Sequence, residues 1–200
     1  MDTAPAAVIR NGRGAGQRAK AVGLMNTAGI TWYKGHNNPP DLRYIVLLLP
    51  ECGDIFSREG EKTMVKNIIH DTMLLMRKSS PAGRADIQTA TDLSDTLSFH
   101  EKQCAGMAAN MIGVCRNIIA VNMAGIPAVM MNPEIISHSA EAYECEEGCL
   151  SLEGVRKTKR WRSIELIYEN IAGKRCKNTY SGFIAQVIQH EIDHCNGVLI

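Results

Sequence analysis

A chain of 200 residues with 45% hydrophobic side chains is long enough for one domain with a sizeable core, with or without an appendage, and too short for a multidomain machine. Its 22 basic and 21 acidic side chains nearly cancel, leaving no net field to hold a nucleic acid or an anionic membrane surface, so any partner has to be bound at a local site. The 7 cysteines, an odd number on a chain without a secretory signal, point to reduced thiols rather than a disulfide framework.

Residues 1–63 combine turn-rich stretches such as "RNGRGAG" and "GHNNPPDL" with one apolar run, "YIVLLL" at 44–49, which Pro50 closes. That run reads as a buried strand, because a membrane-spanning helix needs roughly 20 apolar residues. No signal-peptide core follows the early arginines, and the first serine is Ser57, which argues against a transit peptide. The chain is therefore expected in the cytoplasm. Residues 1–63 lack sustained periodicity and are expected to be a poorly defined extension, with the domain proper at 64–200.

From Met64 the texture changes, and Asp86 is placed to cap a helix whose Ile87, Ala90, Leu93 and Leu97 form one apolar stripe. Strands are predicted at "NIIAVNM" (117–123), "AVMMNP" (128–133) and "SIELIYEN" (163–170), with a turn at Ala172–Gly173. A last helix is predicted over "SGFIAQVIQHEIDHCNG", apolar at Phe183, Ile184, Val187, Ile188 and Ile192 and stopped by Gly197. The order of elements predicts an α+β fold.

The last helix carries "QHEIDH" (189–194). Four residues are about one helical turn, so His190 and His194 stack on one face and both imidazoles can reach a single ion. Glu191 sits about 100° round the axis, badly placed to ligate but close enough to handle a proton at the ion's open position. This H-E-x-x-H pattern is a known metalloprotease signature. The bland alternative is an amphipathic helix end whose histidines cap carbonyls. His36, His70, His100 and His138 have no such spacing and read as surface or satisfied core residues. A catalytic site of this kind needs a third protein ligand, and the strongest candidate is Cys149 in "EEGCLS" (146–151), which otherwise would be a buried strand cysteine. Cys52, Cys104, Cys115, Cys145, Cys176 and Cys195 show no CxxC pairing and are assigned to packing.

"EGCLS" (147–151) and "QHEIDHCNGVLI" (189–200), with "AGMAANMIG" (105–113) upstream, resemble the peptide deformylase family over about 64–200. The resemblance implies antiparallel or mixed sheets around a central metal-bearing helix. It also implies Fe2+, with Zn2+ or Ni2+ as substitutes, held by Cys149, His190 and His194. The reaction implied removes the formyl group from the N-terminal methionine of nascent chains, with the ribosome as an associated partner. Glu191 would take a proton from water and pass it to the leaving amine, while the Leu150 N–H helps hold the developing oxyanion. Ala105, Gly106, Arg156, Val187 and Ile188 would meet the substrate, and Arg160 would pair with Asp193 behind the metal helix.

The sequence departs from the family in two places. Where the family has a glutamine that donates to the oxyanion, this chain has Met111, whose thioether has no hydrogen to donate. Two readings follow: a deformylase with lowered turnover, or a deformylase-like protein that binds metal and formyl-peptide without efficient hydrolysis. In addition, residues 1–63 show no likeness to the family, and Met64 stands where a member could begin, which points to an upstream extension.

Overall fold

The structure is a computed structural model, and residues 64–200 are described. The strand expected at 44–49 lies outside them. In chain order the elements are α1 (Thr72–Leu75), α2 (Ile87–Phe99), β1 (Gly106–Ala108), β2 (Ile118–Met123), β3 (Ile126–His138), β4 (Ala142–Cys149), β5 (Leu152–Trp161), β6 (Ser163–Glu169), β7 (Arg175–Ser181) and α3 (Gly182–Cys195). Among the described residues five strands form one antiparallel sheet in the order β1-β2-β3-β6-β7, while β4 and β5 pair only with each other. This is an α+β fold.

Strand β2 explains why the sheet has a helix on each face. Its alternation sends Ile118 and Ala120 into one apolar cluster, with Leu93 and Leu97 of α2, and Ile119 and Val121 into another, with Val187 and Ile188 of α3. A strand buried on both sides reads as a continuous apolar run, as 118–121 does. It turns into β3 through Ala124 (φ 64°) and Gly125 (φ 86°), the two left-handed residues that a two-residue hairpin requires.

Three local expectations are corrected. Strand β3 does not end at Pro133. A register shift between Met131 and Glu134 absorbs Asn132 (φ 51°) and Pro133, so the proline owes the ladder no N–H and the strand continues to His138. Asp86 does not cap α2 with its side chain; its carboxylate accepts from the Gly83 N–H at 2.8 Å and lies 3.2 Å from Arg116 Nε. In α3, Phe183 is not core but 64% exposed.

The β4–β5 hairpin was not expected at all. Its charged residues sit opposite one another, Glu144 with Lys159, Glu146 with Lys157 and Glu147 with Arg156, so cross-strand charge pairs replace the apolar alternation that announces a strand. Cys104, Cys115, Cys145, Cys149 and Cys195 are free thiols, whereas Cys176 is disulfide-bonded, contrary to the expectation of reduced cysteines throughout. Among the described residues no helix is long and apolar enough to cross a membrane.

Candidate metal centre and active site

Helix α3 is anchored by its apolar side, where Ala185 and Ile188 are fully buried, and this aims the opposite positions of its last two turns at the hairpin. His190 and His194 lie there with ring centroids 4.9 Å apart, and the end of β4 delivers Cys149, whose Sγ is 3.2 Å from His194 Nε2. One ligand atom from each of these three residues falls within 4.8 Å of the others.

Glu191 is 3% exposed, and its Oε2 has no hydrogen-bond partner. Burial lifts its carboxyl to about 7, near the pH at which a group both takes and gives a proton readily. Gly106 of β1 makes room for it: a Cβ there would lie 2.7 Å from Glu191 Oε1 and 2.5 Å from Val187 Cγ1. Position 106 can therefore carry no side chain without displacing the acid.

A residue the sequence reading did not single out fixes the geometry. Glu147, two positions before Cys149 in β4, holds His190 Nδ1 at 2.9 Å through Oε2, which leaves Nε2 as the nitrogen free to face Cys149 and His194. Burial opposes ionisation of Glu147, but its hydrogen bonds with Arg160 and His190 overcome this and bring the carboxyl down to about 2. Arg160, 5% exposed, donates to both Glu147 oxygens (2.9 and 2.7 Å) and through Nη1 to Asp193 Oδ2 at 2.6 Å. One guanidinium thus ties hairpin to helix. Gln189 adds a second tie: its Oε1 accepts from Trp161 N at 2.9 Å and its Nε2 donates to Trp161 O at 3.1 Å. A glutamate two residues before a cysteine, on the same strand face, was the available signal for Glu147.

The histidines are electrostatically unlike. Burial disfavours the charged form of His190, but hydrogen bonds with Cys149 and Glu147 raise it to about 10. Burial, with His190 and Arg160 nearby, lowers His194 to about 4. A cation at the cluster would displace the His190 proton, because a ligating imidazole must be neutral. One thiol and two imidazoles fit a first-row divalent metal, and the unpartnered Glu191 oxygen beside them fits a site that also holds water.

The remaining predicted residues divide. Leu150 follows Cys149 in the tight turn, and its N–H makes no hydrogen bond among the described residues, while the Ser151 N–H points to Cys149 Sγ at 3.4 Å. Met111 is buried, and its sulfur accepts from the Ala108 N–H at 3.4 Å. Asn110 cannot stand in for a missing donor, since its Nδ2 is spent on Leu75 O (3.2 Å) and His194 O (2.8 Å). Ala105 and Gly106 lie at β1, the end strand of the sheet, whose outer edge has no strand partner among the described residues. Val187 is buried against Gly106. Ile188 is fully enclosed in the apolar cluster under α3, and Arg156 stays on the exposed face of β5, donating to Glu153 O at 3.3 Å; neither is brought to the Cys–His cluster.

The sequence pattern of the polypeptide deformylase family matches residues 65–200. The chain belongs to this family. A peptide deformylase of Clostridium beijerinckii is 42% identical over 137 residues, 68% of this chain and 100% of the relative. That of a Picosynechococcus species is 35% identical over 179 residues, 86% of this chain and 84% of the relative. Since residues 64–200 number 137, the second alignment reaches into the segment before Met64, and the likeness to deformylases is not confined to the domain proper. Among solved structures, a class I type b peptide deformylase from Acinetobacter baumannii bound to Met-Ala-Ser superimposes with a TM-score of 0.61 at 26% identity, covering 69% of this chain and 97% of that one. As a deformylase-family protein the chain is a metallo-hydrolase, and its Cys149–His190–His194 cluster is where a metal fits.

Proposed function

We propose that the chain removes the N-formyl group from the N-terminal methionine of nascent polypeptides in the cytoplasm, with residues 64–200 as the catalytic domain. The observation that carries the proposal is the convergence of one thiol and two imidazoles within 4.8 Å, beside a buried carboxylate that has a free oxygen. Met-Ala-Ser, bound by the Acinetobacter relative, is the peptide that deformylation of formyl-Met-Ala-Ser would leave.

In this reading Cys149, His190 and His194 hold Fe2+, with Zn2+ or Ni2+ as substitutes. When bound, such a metal supplies Lewis acidity toward a carbonyl oxygen and toward water. The protein does the rest. The substrate backbone extends along the open edge of β1 at Ala105 and Gly106, where strand addition fixes its direction. The formyl oxygen meets the Leu150 N–H, which has no hydrogen-bond partner among the described residues. Glu191 takes a proton from the attacking water and delivers it to the amine nitrogen as the C–N bond breaks, leaving formate and a free N-terminus. Val187 flanks the substrate, and Arg156, on the exposed hairpin face, reaches the peptide beyond its first residues. Arg160, through Glu147 and Asp193, keeps hairpin and helix in register.

Met111 favours a second reading. With its thioether turned to Ala108 and Asn110 engaged elsewhere, Leu150 is left as the protein's oxyanion donor, so turnover is slow or the protein binds formyl-peptide without efficient hydrolysis. Full-length protein loaded anaerobically with iron and assayed on formyl-Met-Ala-Ser separates the readings. Release of formate supports deformylation; binding without release supports the second.

A further inference from the structure

We propose that the Cys104 thiol competes with peptide for the open edge of β1: it holds the Gly106 carbonyl until a peptide N–H displaces it, and residue 104 thereby sets how tightly substrate binds. The inference rests on the deformylation reading and adds to it a side chain of the protein that stands in the substrate's place.

Which backbone groups of β1 face outward follows from its pairing with β2. Gly106 lies opposite Val121 and Met107 opposite Ala120, and one step earlier the Asn122 N–H donates to Ala105 O at 2.8 Å. Antiparallel partners alternate between pairs that exchange hydrogen bonds and pairs that do not, so Ala105 and Met107 bond toward β2 while Gly106 and Ala108 turn their N–H and C=O to the outer edge. That edge has no strand partner among the described residues. It is a template for an extended chain.

Two of the outward groups are held by sulfur instead. The Cys104 Sγ donates to Gly106 O at 2.6 Å, and the Ala108 N–H donates to Met111 Sδ at 3.4 Å. Burial, with Glu191 nearby, pushes the Cys104 thiol up to about 12, so it keeps its proton and faces the carbonyl as a donor. Sulfur is a weak partner in both roles. An amide N–H is a better donor than a thiol, so an arriving peptide takes Gly106 O, yet its net gain is reduced by the contact it replaces. The exchange happens close to the acid, since a Cβ on Gly106 would fall 2.7 Å from Glu191 Oε1. It therefore acts on the reacting end of the peptide.

The test uses the metal-loaded full chain as wild type, Cys104→Ala and Cys104→Ser, with kcat and KM measured on formyl-Met-Ala-Ser and a calorimetric Kd on Met-Ala-Ser. Alanine removes the competitor, and serine replaces it with a stronger donor. KM and Kd should fall roughly two- to fivefold in Cys104→Ala and rise by a similar factor in Cys104→Ser, within the worth of one neutral hydrogen bond. A thiol that only packs would leave both variants binding more weakly, so the opposite signs decide the matter. Equal or weaker binding in Cys104→Ala overturns the proposal even when turnover is normal, and so does serine binding as tightly as alanine. Opposite shifts in Kd without release of formate by any of the three proteins keep the Cys104 contact and overturn deformylation. Neither turnover nor binding overturns both.

Discussion

Helix α3 and the β4–β5 hairpin contribute to one site, yet they are held by different forces. The helix is fastened by apolar burial: Ala185 and Ile188 are inaccessible and Val187 nearly so. Among the described residues the hairpin has no third strand and much of its surface is exposed, and such a hairpin alone is marginal in water. What docks it is polar, namely Arg160 with Glu147 and Asp193, and Gln189 with the Trp161 backbone. The comparison teaches that the helix is held by apolar burial, whereas the thiol ligand sits on an element that depends on polar and charge pairing for its place.

The largest effect is expected on the helix side. Glu191→Gln should lower kcat by roughly 10²- to 10⁴-fold, the usual worth of a positioned acid–base group, with metal content unchanged. Steady-state kinetics alongside metal analysis check this, and a normal kcat would mean that another group moves the proton. Met111→Gln tests the short helical turn that follows β1. Restoring an amide donor should raise kcat by roughly 10²- to 10³-fold, read from initial rates at saturating substrate.

Arg160→Met addresses the clamp. It leaves Glu147 buried without its cation and should cost about 3–5 kcal/mol in denaturant unfolding. Removing this support from His190 should also weaken metal binding by roughly 10- to 100-fold. If stability and metal affinity both survive, the hairpin is docked by something other than this pair. The smallest effect is one of pH. Glu147 falls to about 2 in the folded protein against an ordinary 4.5, so its contribution to stability is complete above the ordinary value. That contribution is lost as the pH drops from there through about 2. Acid titration of unfolding should show a flatter limb in Glu147→Gln than in wild type.

The helix side of the site was legible because its signals are local. A spacing of four places two histidines on one face whatever surrounds them, and the apolar stripe of 184–192 names the side that is buried. Cys149 was legible only as a candidate third ligand until the resemblance gave it that role, since a thiol 41 residues upstream carries no spacing rule of its own. The hairpin escaped because 142–161 alternates charge with charge, which periodicity reads as loop. Glu147 escaped with it: its role exists only once β4 crosses α3. The extension of β3 through Pro133 was hidden because a bulge excuses a proline that the strand rule forbids.

Metal content tests most directly whether the two regions meet at one cation. The wild-type chain, purified with ferrous iron or zinc supplied, should carry about one metal per chain, as a single site requires. Cys149→Ala, folded by its circular dichroism, should lose it. Metal at the wild-type level in that variant would show that the hairpin thiol does not share an ion with His190 and His194.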